Sequence, residues 1–351
     1  MQWSLQDYLV AFNMLDGIGP KRLAALVAFL GSLENAWHAT YSELVQVPGI
    51  GPRLAQQIID QRRLVDPLEE RKWAEQHASR IITNLDKEDY PYWLRELANP
   101  PPVLYVKGQL PKQLGVAIIG SRRATQTGKS QAYNFAHRLA SYGLPVISGL
   151  AMGIDTQAHL GALAANGFTV AVMATPISIV YPPQNYKLAK AIAASGCIIT
   201  EFSSRSQTRP GSFPLRNRLI AAFSKAILVV EAGQKSGTLS TVDAGLEIGR
   251  DVWAIPGDIA HPLRKGTHSL IKQGAGLADS PEDLLIAFPQ VSTNLADDLD
   301  HDNQLVFKYY LQGYSPEKIV ELTGLPVQQV QNLITLIEID GLSNCSNDHR
   351  L

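Results

Sequence analysis

Cysteine is nearly missing from these 351 residues: Cys197 and Cys345 are the only two. Two widely separated thiols form neither a disulfide framework nor a zinc pattern, and they fit a reducing cytoplasm. Long apolar runs are missing as well, and none approaches the roughly 20 residues of a membrane span. The stretch from Met1 to Ala11 carries Asp7 and no basic residue, so no signal peptide is expected. Net charge is close to zero too, at -1, since 31 Lys and Arg stand against 32 Asp and Glu. The chain also lacks a P-loop, a nucleophile elbow and H-E-x-x-H, and no spacing of Ser, His and Asp singles out a triad. G-x-G-x-x-G is not there, which argues against NAD or FAD. Neither a cofactor nor a metal is expected: the nearest carboxylate cluster, Asp298 to Asp302, lies in an acidic run that reads as a solvated linker. The sequence offers groups that bind rather than groups that react.

What is present is a local excess of base. Between Ser203 and Lys272 there are ten basic residues against five acidic ones, which suits a polyanion on one face of a neutral protein. Short apolar runs alternate with helical patterns through the middle of the chain. Strands are expected at 80–85, 103–106, 116–120, 145–149, 169–173, 197–202, 226–231 and 252–256. Helices are expected at 67–77, 129–142, 155–166, 186–195, 219–223 and 239–249. This alternation predicts an α/β fold, a Rossmann-like (extended), mostly parallel sheet with helices on both faces. Small all-α N-terminal and winged-helix-like C-terminal domains flank it. The divisions predicted are 1–65, helical; 66–288, the sheet domain; 289–303, an acidic linker; and 304–351, with helices at 315–323 and 326–339 around Gly324.

The N-terminal part repeats Gly-Ile-Gly-Pro, at Gly17 and again at Gly49. Such a repeat is that of a helix-hairpin-helix pair, with flexible glycines between helices and proline in the first helical turn. Its loop amides would touch DNA phosphates, or the module only packs. The second C-terminal helix offers Gln328, Gln329, Gln331 and Asn332 but no Arg or Lys, which favours a protein-contact or vestigial role over sequence-specific base reading.

Three turns at strand ends carry the candidate site. Gly120-Ser121-Arg122 combines a glycine, a hydroxyl and a guanidinium, a set that can hold one phosphate. Ser148-Gly149 ends the next strand, and Gly149 and Gly153 permit close approach of a ligand. Asp155 is expected to cap its helix or to pair with His159 one turn on. Lys235-Ser236-Gly237-Thr238 places amides at a helix start, and Arg216, Asn217 and Arg218 supply donors upstream. In an open α/β sheet these loops share the crevice beyond the carboxyl ends of the strands.

Together these stretches resemble the DprA/Smf family, DNA processing protein A. The matching text is Val116-Ala-Ile-Ile-Gly-Ser-Arg, Ser148-Gly-Leu-Ala-Met-Gly-Ile-Asp, Tyr181-Pro, Phe213-Pro-Leu-Arg-Asn-Arg, Ser236-Gly-Thr-Leu and Ala254-Ile-Pro-Gly-Asp. The resemblance implies a dimeric, non-enzymatic binder of single-stranded DNA that protects the strand in natural transformation and helps load a RecA-type recombinase. By position, Gly120, Ser121 and Arg122 would take a phosphate, with Arg216, Asn217 and Arg218 in the same pocket. Phe213 would stack on a base, Ser236 to Thr238 would give amides, and Lys235 would add charge. The chain departs from the family at Met152, where a basic residue is usual, and over 174–180, which lacks the family's glycine-containing segment. Arg205, Arg209 or Arg123 is left to make up the missing charge. The alternative is a nucleotide phosphoribohydrolase of the lysine-decarboxylase-like group, but Thr241 stands where its glutamate would fall.

Overall fold

β-Branched and aliphatic runs build a nine-stranded sheet in this computed structural model, which describes residues 3–291, 305–306, 308–310 and 312–340. The strands are β1 (Arg80–Thr83), β2 (Val103–Gly108), β3 (Gly115–Ile119), β4 (Val146–Ser148), β5 (Thr169–Val172), β6 (Cys197–Thr200), β7 (Ser224–Val229), β8 (Asp251–Ala254) and β9 (Gly276–Leu277). Their order is β1-β2-β6-β5-β4-β3-β7-β8-β9. From β6 to β9 all neighbours are parallel, while β2 joins β6 and β1 joins β2 antiparallel. The chain lays β3 to β6 outward in one direction, then returns to pair β7 with the other side of β3. A crevice therefore opens beyond the carboxyl end of β3, where the winding reverses.

Alternate residues of the central strands feed two separate cores. Val116 and Ile118 join Val146, Ala226 and Leu228 under α7 (Gln126–Ser141) and α8 (Ile154–Ala164). Ala117 and Ile119 face the other way, toward α10 (Ser212–Ala222) and α11 (Leu239–Glu247). A parallel sheet covered on both faces reads as unbroken apolar runs, and this is why its strands fall where the sequence places them.

The largest difference is α10, expected only from 219 and in fact starting at Ser212. Pro214 makes the segment look like a loop, yet it occupies the first helical turn, where a missing N–H breaks no intrahelical bond. The earlier start sets Phe213, Arg216 and Asn217 on a helix. Strand β9 has two residues, too few for a periodic signal.

In the N-terminal part, α1 (Leu5–Asn13), α2 (Pro20–Leu30), α3 (Leu33–His38), α4 (Tyr41–Gln46) and α5 (Pro52–Arg62) precede α6 (Pro67–Gln76). The two Gly-Ile-Gly-Pro turns have the same shape, with Gly17 and Gly49 both at φ 83°. Arg22 ties them together, donating to Gly17 O at 2.7 Å and to Gly49 O at 3.2 Å. The apolar side chains of these helices continue into one cluster with Tyr105, Leu150, Met173, Ile177 and Ile198. The division at residue 65 is thus one of chain order, while packing runs across it.

Beyond the sheet, α12 (Lys265–Lys272) follows β8, with α9 (Tyr186–Ser195) beside β5 and β6. The two C-terminal helices are α13 (Pro316–Thr323) and α14 (Val327–Asp340), joined through Gly324 at φ 69° around Val306, Ile319, Val330 and Ile334. The acidic run from 292 to 304 and residues 341–351, which hold any wing and Cys345, lie outside the described residues.

Candidate nucleic-acid interface

A cleft of about 860 Å³ opens at the switch point. Its wall is made by the turn after β3 (Gly120 to Arg122), by Ala151 and Asp155 after β4, and by Thr175, Ile179 and Tyr181 after β5. Thr208, Arg209 and Pro210 after β6, the start of α10, and Ser236 to Thr238 after β7 complete it. A side chamber of about 70 Å³ reaches Gly149, Met152 and Ala174 between Tyr181 and Phe213.

Glycine is required where the strands end. A Cβ on Gly120 would stand 2.7 Å from Ile154 Cγ1 and 2.9 Å from Glu231 O, and one on Gly149 would run into the Arg216 guanidinium. The N–H of Ser121 donates to Glu231 O at 2.8 Å, and its Oγ accepts from the Arg123 N–H at 3.1 Å. The turn is therefore a braced support, and Arg122 is the part of it that reaches outward. Its guanidinium carbon sits 4.8 Å from the centroid of the Phe213 ring, which also lies 6.0 Å from the ring of Tyr181. Arg122 and Phe213 thus present a cation and an aromatic face together at the mouth.

Arg216 lies on the floor, 5 % exposed. Its Nη1 donates to Gly149 O at 2.6 Å and to Val172 O at 2.5 Å, closing the ends of β4 and β5, while Nε donates to Asn217 Oδ1 at 3.0 Å. Burial lowers the Arg216 pKa to about 10 against the opposing pull of Asp155, so the group is a cation at neutral pH. Asp155 neither caps its own helix nor pairs with His159. Its Oδ2 accepts from the N–H groups of Gly149 (3.1 Å) and Ala151 (3.3 Å), fixing the loop that puts Leu150 at φ 59°. Burial raises its pKa, with Arg216 as the main opposing influence. His159 instead meets Thr169 Oγ1 at 2.7 Å.

Several expected contacts are reassigned. Arg218 is turned away from the cleft into an ion pair with Glu201, because α10 carries it to the opposite side from Phe213. Ser148 is fully buried and donates to Ile118 O at 2.7 Å, so it braces the strand end. Asn217 is a brace too: its Nδ2 donates to Ser240 Oγ at 2.8 Å and to Gly237 O at 3.3 Å. The amides at the start of α11 are partly spent, for Thr238 N–H goes to Ser236 Oγ and Leu239 N–H to Ser236 O. Lys235 is exposed on the same loop but outside the cleft lining. Gly120, Ser121, Arg122, Phe213, Arg216, Asn217, Ser236, Gly237 and Thr238 do come together, with Gly149 in the side chamber.

Tyr181, which the sequence offered only as matching text with no role, and Ile179 also enter the cleft wall. Of the three arginines able to replace a cation at Met152, only Arg209 lines the cleft, whereas Arg205 donates to Leu64 O. Thr241, where the alternative enzyme needs a glutamate, is a buried threonine at the cleft wall. Among the described residues, no three His, Cys, Asp or Glu side chains cluster to hold a metal, and no helix is long and apolar enough to cross a membrane.

Comparison with known proteins agrees with this fold. A family model described as "DNA recombination-mediator protein A" matches residues 80–289, and one described as "SAM-like Helix-hairpin-helix tandem" matches residues 11–63. The chain is 38% identical over 288 residues to protein Smf of Synechocystis, covering 80% of this chain and 72% of that protein. The X-ray structure of DNA processing protein A from Streptococcus pneumoniae superposes with a TM-score of 0.67 at 28% identity, over 82% of this chain and 98% of the other. DNA processing protein A of Helicobacter pylori, studied for its single-stranded DNA binding mode, gives a TM-score of 0.54 at 29% identity over 62% and 96%. The sheet, its switch-point cleft and these matches place the chain in the DNA recombination-mediator protein A family.

Proposed function

We propose that the cleft holds the sugar-phosphate chain of single-stranded DNA with little regard to sequence, and that the protein protects such strands and helps load a RecA-type recombinase during DNA uptake. One observation carries this reading: Arg122 lies over Phe213 at the mouth of an open cleft, with Arg209 on its rim and Arg216 beneath. Charge follows the phosphates of an unpaired strand, and an aromatic face stacks on any base. Arg216 acts from the floor as a fixed cation in a low-dielectric setting, and Arg122 and Arg209 contact the backbone. Lys235 adds charge where the strand leaves the cleft. The protein works by binding, in the cytoplasm, without turnover.

Two copies act on one strand, paired through the sheet domain. Support for the pairing face comes from the open edge at β9, where Leu277 is 48 % and Ile259 83 % exposed beside Lys265, His268 and Lys272. An uncovered apolar sheet edge of this kind invites another chain. Sedimentation of the purified protein should give a dimer, and Leu277→Arg should give a monomer.

The test of binding is a gel shift with single- and double-stranded oligomers of mixed sequence across a salt series. Preference for the single strand and a steep fall of affinity with salt are expected, since each neutralised phosphate releases counterions. Equal affinity for a duplex, or no salt dependence, overturns the reading. Release of free adenine from AMP would instead revive the phosphoribohydrolase.

A further inference from the structure

We propose that Glu70, on the helix that joins the N-terminal helices to the sheet, is a positioning residue for the cleft. It fixes the arm that carries Arg209. This inference rests on the reading of the cleft as a single-strand site.

Glu70 is 2 % exposed, so its carboxylate must find its partners inside the protein. Oε1 accepts from Tyr105 Oη and from the Ser204 N–H, both at 2.8 Å, and Oε2 accepts from Ser204 Oγ at 2.5 Å. Two of the three donors belong to Ser204, four residues beyond the end of β6. Tyr105, the third donor, sits on β2 and is fully buried.

The chain from Ser204 onward becomes the outer wall of the cleft, through Thr208, Arg209 and Pro210. That arm is fixed at both ends. At its start the turn is closed by Ser206 N–H on Ser203 O at 3.0 Å, and Ser204 is clamped by Glu70. At its far end Arg209 N–H donates to Ser212 Oγ at 3.2 Å, and Ser212 N–H returns to Arg209 O at 2.9 Å, at the first turn of α10. Two further bonds bind the same stretch to the N-terminal helices: Asn13 Nδ2 to Glu201 O at 3.0 Å, and Arg205 Nη1 to Leu64 O at 3.1 Å. The Arg209 side chain is exposed, reaches Gln207 Oε1 at 3.1 Å and has no carboxylate partner among the described residues.

The arrangement gives the N-terminal helices a direct part in strand binding that needs no contact between them and DNA. They hold a buried carboxylate, the carboxylate sets Ser204, and Ser204 sets where the cation of the arm stands. Releasing the Glu70 clamp leaves the start of the arm held only by the Arg205 bond and the Ser203–Ser206 turn, so ordering it costs more than one phosphate contact returns and the contact at Arg209 is lost.

The test uses the full chain and a dye-labelled dT oligomer, with affinity read by anisotropy through a NaCl series. Arg209→Ala should flatten the log-log salt slope by about 0.7, the loss of one phosphate contact on a single strand. Glu70→Ala should flatten it by the same amount and add nothing in the Arg209→Ala background, because both changes remove one contact. Glu70→Gln should restore the slope, since its amide can accept from the Ser204 N–H and donate to Ser204 Oγ. Tyr105→Phe removes a bond to the same carboxylate without touching Ser204 and should leave the slope as it was. A Glu70→Ala effect that adds fully to that of Arg209→Ala, or a slope that Glu70→Ala leaves unchanged, overturns the positioning role. If Glu70→Ala does not fold, Ser204→Pro, which removes both the N–H and the hydroxyl, takes its place under the same criteria. The two readings separate cleanly: if Arg122→Ala weakens binding while Glu70→Ala does not, only the positioning role fails. If neither Arg122→Ala nor Arg209→Ala has any effect, the cleft itself is misassigned.

Discussion

The guanidinium of Arg122 rests on the ring of Phe213, 4.8 Å from its centroid, across the mouth of the cleft. The contact joins the turn after β3 to the first turn of α10, two segments 91 residues apart in the sequence. On the proposed reading, the cation is held ready for a phosphate and the ring for a base. Phe213→Ala should cost about 1–3 kcal/mol of single-strand affinity for every sequence alike, and Arg122→Ala should reduce both affinity and salt slope. Because the two side chains touch, the double variant should lose less than the two single losses combined. Anisotropy titrations with dT and mixed oligomers measure all three.

Arg216 should behave differently from Arg122. Its guanidinium closes the ends of β4 and β5 and faces the buried Asp155, so Arg216→Ala strands two carbonyls and a carboxylate. A cost of about 1–3 kcal/mol to the fold is expected for each buried carbonyl left without its donor. Chemical denaturation with a sheet-specific probe should reveal it before any binding assay is interpreted. Arg216→Ala, Asp155→Asn should recover part of the loss, since the second change removes the uncompensated charge.

The sheet was legible because strands buried on both faces cannot hide: β3, β5 and β7 are continuous apolar runs with polar residues at their ends. The cleft was legible in outline for the same reason, since the loops that follow those strands must meet at the switch point. What could not be read was the direction of each arginine. Arg122, Arg216 and Arg218 are equivalent in composition, and only partners remote in the chain separate them: Val172 O for Arg216, Glu201 for Arg218, the Phe213 ring for Arg122. Arg209 was one of three arginines offered as a replacement for the missing cation, and the turn of the 203–211 segment decides between them.

Stability should depend on pH through His159. The Thr169 hydroxyl donates to Val146 O at 2.8 Å, so the contact at 2.7 Å requires the proton on His159 Nδ1. Nε2 is buried and has no partner among the described residues. Burial, with Arg216 nearby, holds the folded pKa down to about 3 from an ordinary 6.5. The unfolded chain therefore binds the extra proton between those values. The stabilisation is fully present above pH 6.5 and is lost as pH falls toward 3, by about 1.4 kcal/mol per unit within that window. Asp155 and Glu201, whose pKa values burial raises, act in the opposite sense there. The comparison that isolates the histidine is with His159→Asn, which keeps a donor for Thr169 and has nothing to titrate. Its melting temperature should fall less steeply between pH 6.5 and 4.5 than that of the parent protein.

Gly153 should be the least tolerant position at the rim. It adopts φ 84°, and a Cβ there would collide with Ser121 O and Arg122 O, the backbone of the turn that presents the outward arginine. Neither obstacle is the tip of a flexible side chain, so relief requires moving the turn or the start of α8. Gly153→Ala should therefore weaken single-strand binding even where the protein still folds, because displacing Arg122 by about 1 Å from its seat on Phe213 is enough to spoil a preorganised site. Gly233→Ala is the control: its Cβ meets open space and its φ is not in the left-handed region. Binding titrations of the two variants, each checked for a cooperative melt, should show loss in the first and parental affinity in the second. Equal behaviour would mean that the turn after β3 does not set the position of Arg122.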